Sequence, residues 1–303
     1  MIPSSREVQY SSSVAKLMRH ANRIKHPMYP ITLQVVPTDK CNLNCVFCSV
    51  KDRPRNELDF DKIISVVESY PFRILRGVEI TGGGDPTLYP RINELIERLV
   101  EEYWLDVGFI TNGVALHKNI SESSLALLTW IRISLNCLDY LPDIDIPEIP
   151  EGTTLGFSYV VNEKTTKEIL DKVVKYSEIY PAKYVRIVPD CLDLSRKYDF
   201  DIPDSPKFYV QTKAFGDLTP VAPCRMGYLK PYLNSDGYFY WCSGVCLGTR
   251  YFPTEYRMGA WDESDMIWAD QKPFECHFDK CFWVEQNLLL GAVNTKIEHE
   301  AFV

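Results

Sequence analysis

The 303-residue sequence lacks any apolar run long enough to cross a bilayer. A membrane-spanning helix needs about 18 or more consecutive apolar residues, and no stretch approaches that length. The N-terminus, "MIPSSREVQYSSS", also lacks the basic segment followed by an apolar run that is typical of a secretory signal. We therefore expect a cytoplasmic protein with no membrane partner.

Positive charge and histidine are also scarce. The 33 Lys and Arg residues are outnumbered by 41 Asp and Glu residues, which gives a formal net charge of −8. That balance disfavours a large nucleic-acid interface, because such a surface needs cations to displace the counterions of phosphates. The five histidines are scattered without an H-E-x-x-H pair, and neither G-x-x-x-x-G-K-S/T nor G-x-G-x-x-G occurs. We expect neither a histidine-based metal site nor a common phosphate-binding loop.

Cysteine, in contrast, is plentiful, with ten residues. Disulfides are rare in the reducing cytosol, so clustered cysteines in a cytoplasmic protein indicate metal or redox chemistry. Cys41, Cys45 and Cys48 form the pattern C-x3-C-x2-C. Three thiolates on a four-iron cluster keep one iron open for an exchangeable ligand. Structural zinc is the competing interpretation, but it normally binds four Cys or His ligands, and this loop contains no histidine.

Short β-branched runs alternate with amphipathic helical patterns from residue 31 to about residue 190, which is typical of parallel βα units. The predicted strands are residues 31–37, 77–81, 105–111, 130–136, 154–161 and 184–189. Six strands are two fewer than a complete barrel has. We therefore predict an α/β fold: a partial (β/α)6 TIM barrel followed by a small Cys-rich, cluster-binding domain that contains a β-hairpin. The predicted division is an N-terminal helical segment (1–30), the barrel (31–195), a linker (196–222) and the C-terminal domain (223–303).

A second group of cysteines lies in the C-terminal domain. Residues 224–242 predict a β-hairpin of two aromatic-rich strands joined by the turn "NSDG". Such a hairpin brings Cys224 and Cys242 together, and "CHFDKC" adds Cys276 and Cys281. Four thiolates from two separate segments would hold either a zinc ion or a second iron-sulfur cluster.

The first cysteine group, placed directly after the first predicted strand, resembles the signature of the radical S-adenosylmethionine (SAM) superfamily, C-x3-C-x-aromatic-C. Phe47 occupies the aromatic position. The resemblance implies a [4Fe-4S] cluster on Cys41, Cys45 and Cys48, whose exchangeable iron binds the amino and carboxylate groups of SAM.

Further positions are similar to SAM-contacting residues of the superfamily. The run "TGGGDP" after the second strand resembles the GGEP-like motif that meets the methionyl amino group, with Asp in place of the commoner Glu. The residues implied by this run are Gly82, Gly83, Gly84, Asp85 and Pro86. The less specific positions, at the ends of the third to sixth strands, are Thr111, Asn112, Ser134, Asn136, Asn162 and Arg186.

The C-terminal pattern C-x12-G-x4-C is similar to the opening of SPASM and twitch auxiliary-cluster domains. A full SPASM domain continues with C-x2-C-x5-C-x3-C, which this chain lacks. The resemblance therefore implies one auxiliary [4Fe-4S] cluster of the twitch type. Its implied ligands are Cys224, Cys242, Cys276 and Cys281, with Cys246 as an alternative fourth ligand and zinc as a lesser alternative metal.

The implied activity is reductive cleavage of SAM to a 5′-deoxyadenosyl radical that abstracts hydrogen from a substrate, with electrons from a flavodoxin- or ferredoxin-type donor. We expect the auxiliary cluster to assist electron transfer. The expected substrate is a small polar metabolite, such as an amino sugar or cyclitol, which is oxidised or epimerised. The acidic segment 139–151 would suit a cationic substrate.

Three alternatives stay open for the function. They are, in order, a peptide- or protein-modifying enzyme, a nucleotide- or nucleic-acid-modifying enzyme, and a non-enzymatic zinc or iron-sulfur module. Cys137 and Cys191 each follow a predicted strand, so one of them is a candidate donor of hydrogen to a product radical.

Overall fold

A computed structural model describes residues 13–25, 27–71, 73–195, 202–211, 223–269, 271–272, 274–277 and 281–295. Most of the predicted linker lies outside these residues, as do both chain ends. In the described part of the chain, no helix is long and apolar enough to cross a membrane.

Among the described residues, ten strands form one sheet in the order β10-β9-β8-β1-β2-β3-β4-β5-β6-β7. The strands are β1 (Thr32–Val35), β2 (Gly77–Ile80), β3 (Asp106–Thr111), β4 (Trp130–Ser134), β5 (Thr154–Val161), β6 (Tyr184–Pro189), β7 (Phe208–Val210), β8 (Tyr232–Leu233), β9 (Tyr238–Tyr240) and β10 (Arg257–Ala260). Strands β1 to β7 pair in parallel, β8 pairs in parallel with β1, and β8, β9 and β10 pair antiparallel. Within the described residues the sheet does not close on itself, which confirms the predicted partial barrel.

Helices precede, connect and follow the strands. They are α1 (Ser13–Met18), α2 (Phe60–Ser69), α3 (Ile92–Glu97, continued by a π-helical turn over Arg98–Glu102), α4 (Leu116–Asn119), α5 (Glu122–Leu127), α6 (Lys167–Ile179), α7 (Met226–Leu229), α8 (Ser264–Ala269) and α9 (Val284–Val293). Side-chain caps fix the residues at which helices α2 and α6 begin. The Asp59 carboxylate accepts the first amides of α2, and the Thr166 hydroxyl accepts an amide of α6.

The largest hydrophobic core lies between the sheet and helices α2 to α6 and α8. Alternate residues of each strand point toward it, because successive strand side chains face opposite sides of a sheet. On β1, for example, Leu33 and Val35 are fully buried in this core, whereas Gln34 faces the barrel interior and bonds Glu79 of β2. The sequence of each strand therefore separates an apolar outer face from a more polar interior.

All six predicted barrel strands are present, and the structure adds β7, which we did not predict. With only three residues in a Pro- and Asp-rich stretch, β7 is too short to show alternation in the sequence. The predicted hairpin is present as β8 and β9, joined through Gly237 at φ +81°. It is shorter than predicted, because residues Met226–Leu229 form the helical turn α7 instead of strand.

Candidate active site

Cys41, Cys45 and Cys48 lie on the loop that leaves β1, and all three are half-buried. Burial, together with the charges of the neighbouring Cys48 and Cys41, raises the pKa of the Cys45 thiol to about 12. Burial also raises the pKa of Cys41, with Cys48 contributing. The three sulfurs therefore lie close enough to repel one another as thiolates, and a bound cationic centre would relieve that repulsion.

The donor set suits a cluster better than a single ion. Within the described residues, no three or more His, Cys, Asp or Glu side chains are grouped so as to hold one metal ion. In an iron-sulfur cluster, each thiolate binds a different iron, so its cysteines need not converge on one point. The three thiols of this loop fit a cluster that keeps one iron open.

The glycine run after β2 packs directly against the cysteine loop. The amide of Asp85 donates to the carbonyl of Lys40 at 2.8 Å. A Cβ added to Gly84 would lie 2.2 Å from that same carbonyl oxygen, so only glycine permits this approach. The backbone of the glycine run is thereby held beside Cys41.

The Asp85 carboxylate joins the glycine run to the end of β3. It is 2% exposed and accepts hydrogen bonds from the amide (3.0 Å) and hydroxyl (2.5 Å) of Thr87. It also accepts from the Thr111 hydroxyl at 2.9 Å and from the Asn112 amide at 2.7 Å. Burial raises the pKa of Asp85, and these hydrogen bonds oppose that rise. Both carboxylate oxygens accept hydrogen bonds from the protein. Asp85 therefore shapes the predicted SAM site by anchoring the backbone around it.

The remaining predicted residues near this loop have distinct surroundings. The Asn112 side-chain amide donates to the Asn42 oxygen at 2.7 Å and lies 3.7 Å from the Cys41 sulfur. Pro86 is buried at the start of a short 3-10 helix, and Phe47 is half-buried within the cysteine loop. Asn112 is therefore the predicted SAM-site residue in direct contact with a predicted cluster ligand.

Asn136 and Asn162 converge on Asp139, the first residue of the acidic segment 139–151, which we had not predicted to contact them. Their side-chain amides donate to the Asp139 carboxylate at 3.0 and 2.9 Å, and the Tyr159 hydroxyl donates to it at 2.6 Å. The Ser134 hydroxyl donates to Asn136 at 3.4 Å. Both asparagines are almost fully buried, at 1% and 3% exposure, so this network mainly fixes the ends of β4 and β5.

The same segment reaches the cysteine loop. The Tyr140 hydroxyl accepts a hydrogen bond from the Val46 amide at 2.8 Å. The Asp139 charge adds to the rise in the pKa of Cys45. No sequence motif marks these two residues, and only the pairing of β4 beside β3 and β5 brings them to the loop.

The two candidate hydrogen donors differ in access. Cys137 is fully buried within the main hydrophobic core, and burial raises its pKa to about 12. Cys191 is half-buried beyond β6, with its sulfur 3.8 Å from the Pro189 carbonyl oxygen. Of the two, Cys191 alone is partly exposed.

Aromatic rings fill the barrel interior at the start of two strands. Trp130 of β4 lies over Gly108 of β3, where an added Cβ would be 2.2 Å from the ring. Tyr184 of β6 covers Gly156 of β5 in the same way, at 2.1 Å. The two glycines leave room for these rings, which form an aromatic floor.

Arg132 lies two positions after Trp130, and Arg186 lies two positions after Tyr184. Each arginine therefore points to the same face of the sheet as the aromatic residue before it. The Nε atoms of both are buried and have no hydrogen-bond partner among the described residues. Burial and the charge of Arg132 lower the pKa of Arg186 to about 10. The interior therefore holds two guanidinium groups whose Nε donors have no partner within the described part of the chain.

The interior carboxylate near these arginines has another partner. Glu79 accepts from the Lys230 ammonium at 3.1 Å and from Gln34 at 2.6 Å. Burial favours a raised pKa for Glu79, but Lys230 and Arg132 outweigh it and hold the pKa below its usual range. Lys230 is thus a direct partner of Glu79, and the charge of Arg132 stabilises the same carboxylate.

The second cysteine group comes together in the C-terminal part. Cys224 pairs through its backbone with Phe274, two residues before Cys276. Burial raises the pKa of Cys242, and the charges of Cys224, Cys276 and Cys281 raise it further. The four predicted auxiliary ligands therefore lie near one another.

Cys246 lies elsewhere. Its thiol is 3.4 Å from the Ser49 hydroxyl, next to Cys48 in the first cysteine loop, and it is 2% exposed. Burial raises its pKa to about 11. The 3-10 turn Ser243–Cys246 directs Cys246 away from the other four C-terminal cysteines, which the sequence spacing alone did not reveal.

A three-cysteine loop at the edge of an open parallel barrel defines an iron-sulfur enzyme of the partial-barrel class. Residues 35–188, just over half of the chain, match the family model of the radical SAM superfamily, and the chain belongs to this superfamily. Members use a four-iron cluster and SAM, so the predicted enzyme class and these two cofactors are confirmed.

Curated relatives are similar over part of the chain. The GTP 3′,8-cyclase of Staphylococcus aureus is 27% identical over 188 residues, which cover 55% of this chain and 54% of the relative. That of Thermodesulfovibrio yellowstonii is 28% identical over 219 residues, covering 64% and 67%. The match thus spans about half the length of the first of these relatives. The comparisons do not support the predicted amino sugar or cyclitol substrate.

Solved structures share the fold. Streptococcus suis SuiB bound to S-adenosylmethionine superposes with a TM-score of 0.53 at 17% identity, covering 85% of this chain and 69% of SuiB. The structure of anSMEcpe with bound AdoMet and Cp18Cys peptide gives a TM-score of 0.50 at 16% identity, covering 80% of each chain.

Replacing Asp85 with Asn should loosen the glycine run. An amide puts a donor against the donors of Thr87, Thr111 or Asn112, and a buried unpaired donor costs about 1–3 kcal/mol. We expect a matching loss in the free energy of unfolding and weaker SAM binding, measured by chemical denaturation and equilibrium binding. Asp106→Asn, at the exposed start of β3, is the control. Unchanged stability and SAM affinity in Asp85→Asn would contradict the anchoring role.

The difference in access between Cys137 and Cys191 is testable by alkylation. We expect iodoacetamide to modify Cys191 in the native, cluster-loaded protein, and Cys137 only after unfolding, because a core thiol is shielded from the reagent. Peptide mapping by mass spectrometry measures both, with buried Cys246 as a second protected thiol. Faster labelling of Cys137 than of Cys191 would reverse our assignment of the accessible candidate donor.

Proposed function

We propose that this radical SAM enzyme acts on a phosphate-bearing nucleotide and carries a second iron-sulfur cluster. The observation that carries the substrate proposal is the pair of interior arginines, Arg132 and Arg186, whose buried Nε donors have no partner among the described residues. The proposed ligands of the SAM-binding cluster are Cys41, Cys45 and Cys48. When bound, the cluster and SAM supply one-electron cleavage of SAM and hydrogen abstraction from the substrate.

The protein's own part is to position these groups. The close approach of Gly84 to Lys40 and the Asp85 hydrogen bonds support a rigid methionine-binding edge beside Cys41. We propose that Asn112 and the Asn136–Asn162 network border the rest of SAM. Arg186 lies beside Arg132 in the interior, so we propose that it contacts the substrate instead of SAM.

We propose that Cys224, Cys242, Cys276 and Cys281 bind the auxiliary cluster. Their mutual effects on the pKa of Cys242 support this set, and the contact of Cys246 with Ser49 argues against Cys246 as a ligand. The aromatic side chains of Trp241 and Phe274 stack at 4.7 Å beside these cysteines and would shield the site from water. A cluster held by four cysteines has no open iron, which favours an electron-transfer role over substrate binding.

Two further predictions belong to this proposal. The first is the division of the chain, with the auxiliary-cluster domain over residues 223–303. The second is a flavodoxin- or ferredoxin-type protein as the electron donor.

Charge in the interior favours an anionic substrate. Two guanidinium groups suit phosphate oxygens, which accept paired N–H donors. The predicted match between the acidic segment 139–151 and a cationic substrate finds less support, because that segment packs on α6: Ile146 and Ile149 are buried, and the Ile144 amide donates to Tyr176. Similarity to proteins named GTP 3′,8-cyclase also favours a purine nucleotide.

The ligand sets predict iron contents. After anaerobic reconstitution, we expect about eight irons per chain, the sum of two four-iron clusters, together with reductant-dependent formation of 5′-deoxyadenosine. Cys242→Ser should lose about four of them, whereas Cys246→Ser, the matched control, should keep all eight. Bound zinc without SAM cleavage, or loss of iron only in Cys246→Ser, would contradict the assignment.

The substrate proposal predicts preferential binding of GTP over guanosine. Arg132→Met and Arg186→Met should each weaken GTP binding by roughly 10- to 100-fold, because a charge-assisted hydrogen bond contributes about 1.5–3 kcal/mol. Calorimetric titration of the reconstituted enzyme measures this, with Arg98→Met on the outer surface as control. Equal affinities for GTP and guanosine, or stimulation of SAM cleavage only by a peptide, would refute a nucleotide substrate.

A further inference from the structure

We propose that Arg53 is a positioning residue that raises the reduction potential of the SAM-binding cluster, by donating a hydrogen bond to the Cys48 sulfur while holding the carbonyl of Gly83. The inference rests on the proposed function, since it requires a cluster on Cys48. It adds a residue that lies outside both cysteine motifs.

The Arg53 guanidinium bridges the two parts of the site. Its Nη2 lies 3.1 Å from the Cys48 sulfur, and its Nε donates to the Gly83 carbonyl at 2.7 Å. A guanidinium is planar and holds its five N–H donors in fixed directions. One side chain can therefore fix the separation between a cluster ligand and the glycine run, which a single ammonium cannot do equally well.

The charge of Arg53 favours the reduced state of a cluster. An arginine stays protonated, and reduction adds one negative charge to the cluster and its thiolates. Hydrogen bonds to the sulfurs are among the factors that set cluster potentials. A cationic N–H donor on Cys48 therefore stabilises the reduced form more than the oxidised form, and so raises the potential.

The two residues that precede Arg53 are anchored to other parts of the protein. The Arg250 guanidinium binds both oxygens of Asp52 at 2.7 Å, and the Arg250 carbonyl accepts from the amides of Lys51 and Asp52. The Lys51 ammonium also donates to the Cys45 carbonyl. Because its neighbours are fixed in this way, half-buried Arg53 is held over Cys48.

The test is an anaerobic redox titration of reconstituted holoenzyme, followed by electron paramagnetic resonance (EPR). The SAM-binding cluster is identified as the one whose signal changes when SAM is added. In Arg53→Gln we expect the ratio of reduced to oxidised cluster at a fixed potential to fall about tenfold, which is about 59 mV for one electron. Arg53→Lys keeps the charge but loses the paired geometry. Its ratio of reduced to oxidised cluster should lie between those of the wild type and Arg53→Gln. Arg55→Gln removes the same charge from an exposed position two residues away, and should match the wild type.

Different results separate the possible failures. Wild-type protein without a SAM-responsive cluster would refute the proposed function, and the inference with it. A SAM-responsive cluster with equal potentials in the wild type and Arg53→Gln would overturn the inference alone. Equal shifts in Arg53→Gln and Arg55→Gln would also overturn it, since net charge would then explain the effect. Loss of the cluster from both Arg53 variants, but not from Arg55→Gln, would assign Arg53 to loop folding instead.

Discussion

The contact between the glycine run and the cysteine loop is the constraint on which the rest of the site depends. Gly84 lies so close to the Lys40 carbonyl that no side chain could be accommodated, and Asp85 bonds the same carbonyl through its amide. The Asp85 carboxylate then ties this junction to Thr111 and Asn112 at the end of β3. Three successive parallel strands are thus locked together at one edge, where the proposed cluster ligands lie.

The C-terminal part completes this arrangement. Strand β8 pairs with β1, so the strand that leads into the cysteine loop has a partner on each side. Asp39, just before that loop, is fully buried and accepts from Ser235 at 3.3 Å and Tyr251 at 3.1 Å. Together with the Lys230–Glu79 pair, these contacts join the C-terminal part both to the predicted SAM site and to the interior arginines. A substitution in the C-terminal part should therefore also affect the predicted SAM site or the interior arginines.

The sequence was most informative where chemistry requires close spacing along the chain. The triad of Cys41, Cys45 and Cys48 and the glycine run predicted the superfamily, and the six barrel strands followed from their alternating pattern. Residues brought together only by strand pairing escaped prediction. Arg132 lies two strands from Arg186, which we had expected at the SAM site. Asp139 had been considered only as part of the acidic segment 139–151, and Cys246 turns toward Ser49 through a short 3-10 helix. The substrate was predicted without any residue that would bind it, because the sequence does not show which charges face the interior.

The central claim is that the first cysteine loop holds a cluster with one iron open to SAM. Its most direct test is the EPR spectrum of reduced Cys242→Ser protein, which should carry only that cluster, recorded before and after addition of SAM. Our account predicts a clear change in the signal on adding SAM, and loss of that signal when Cys45 is also replaced by Ser. A cluster signal that SAM leaves unchanged would contradict the account, because an iron open to SAM must report its binding.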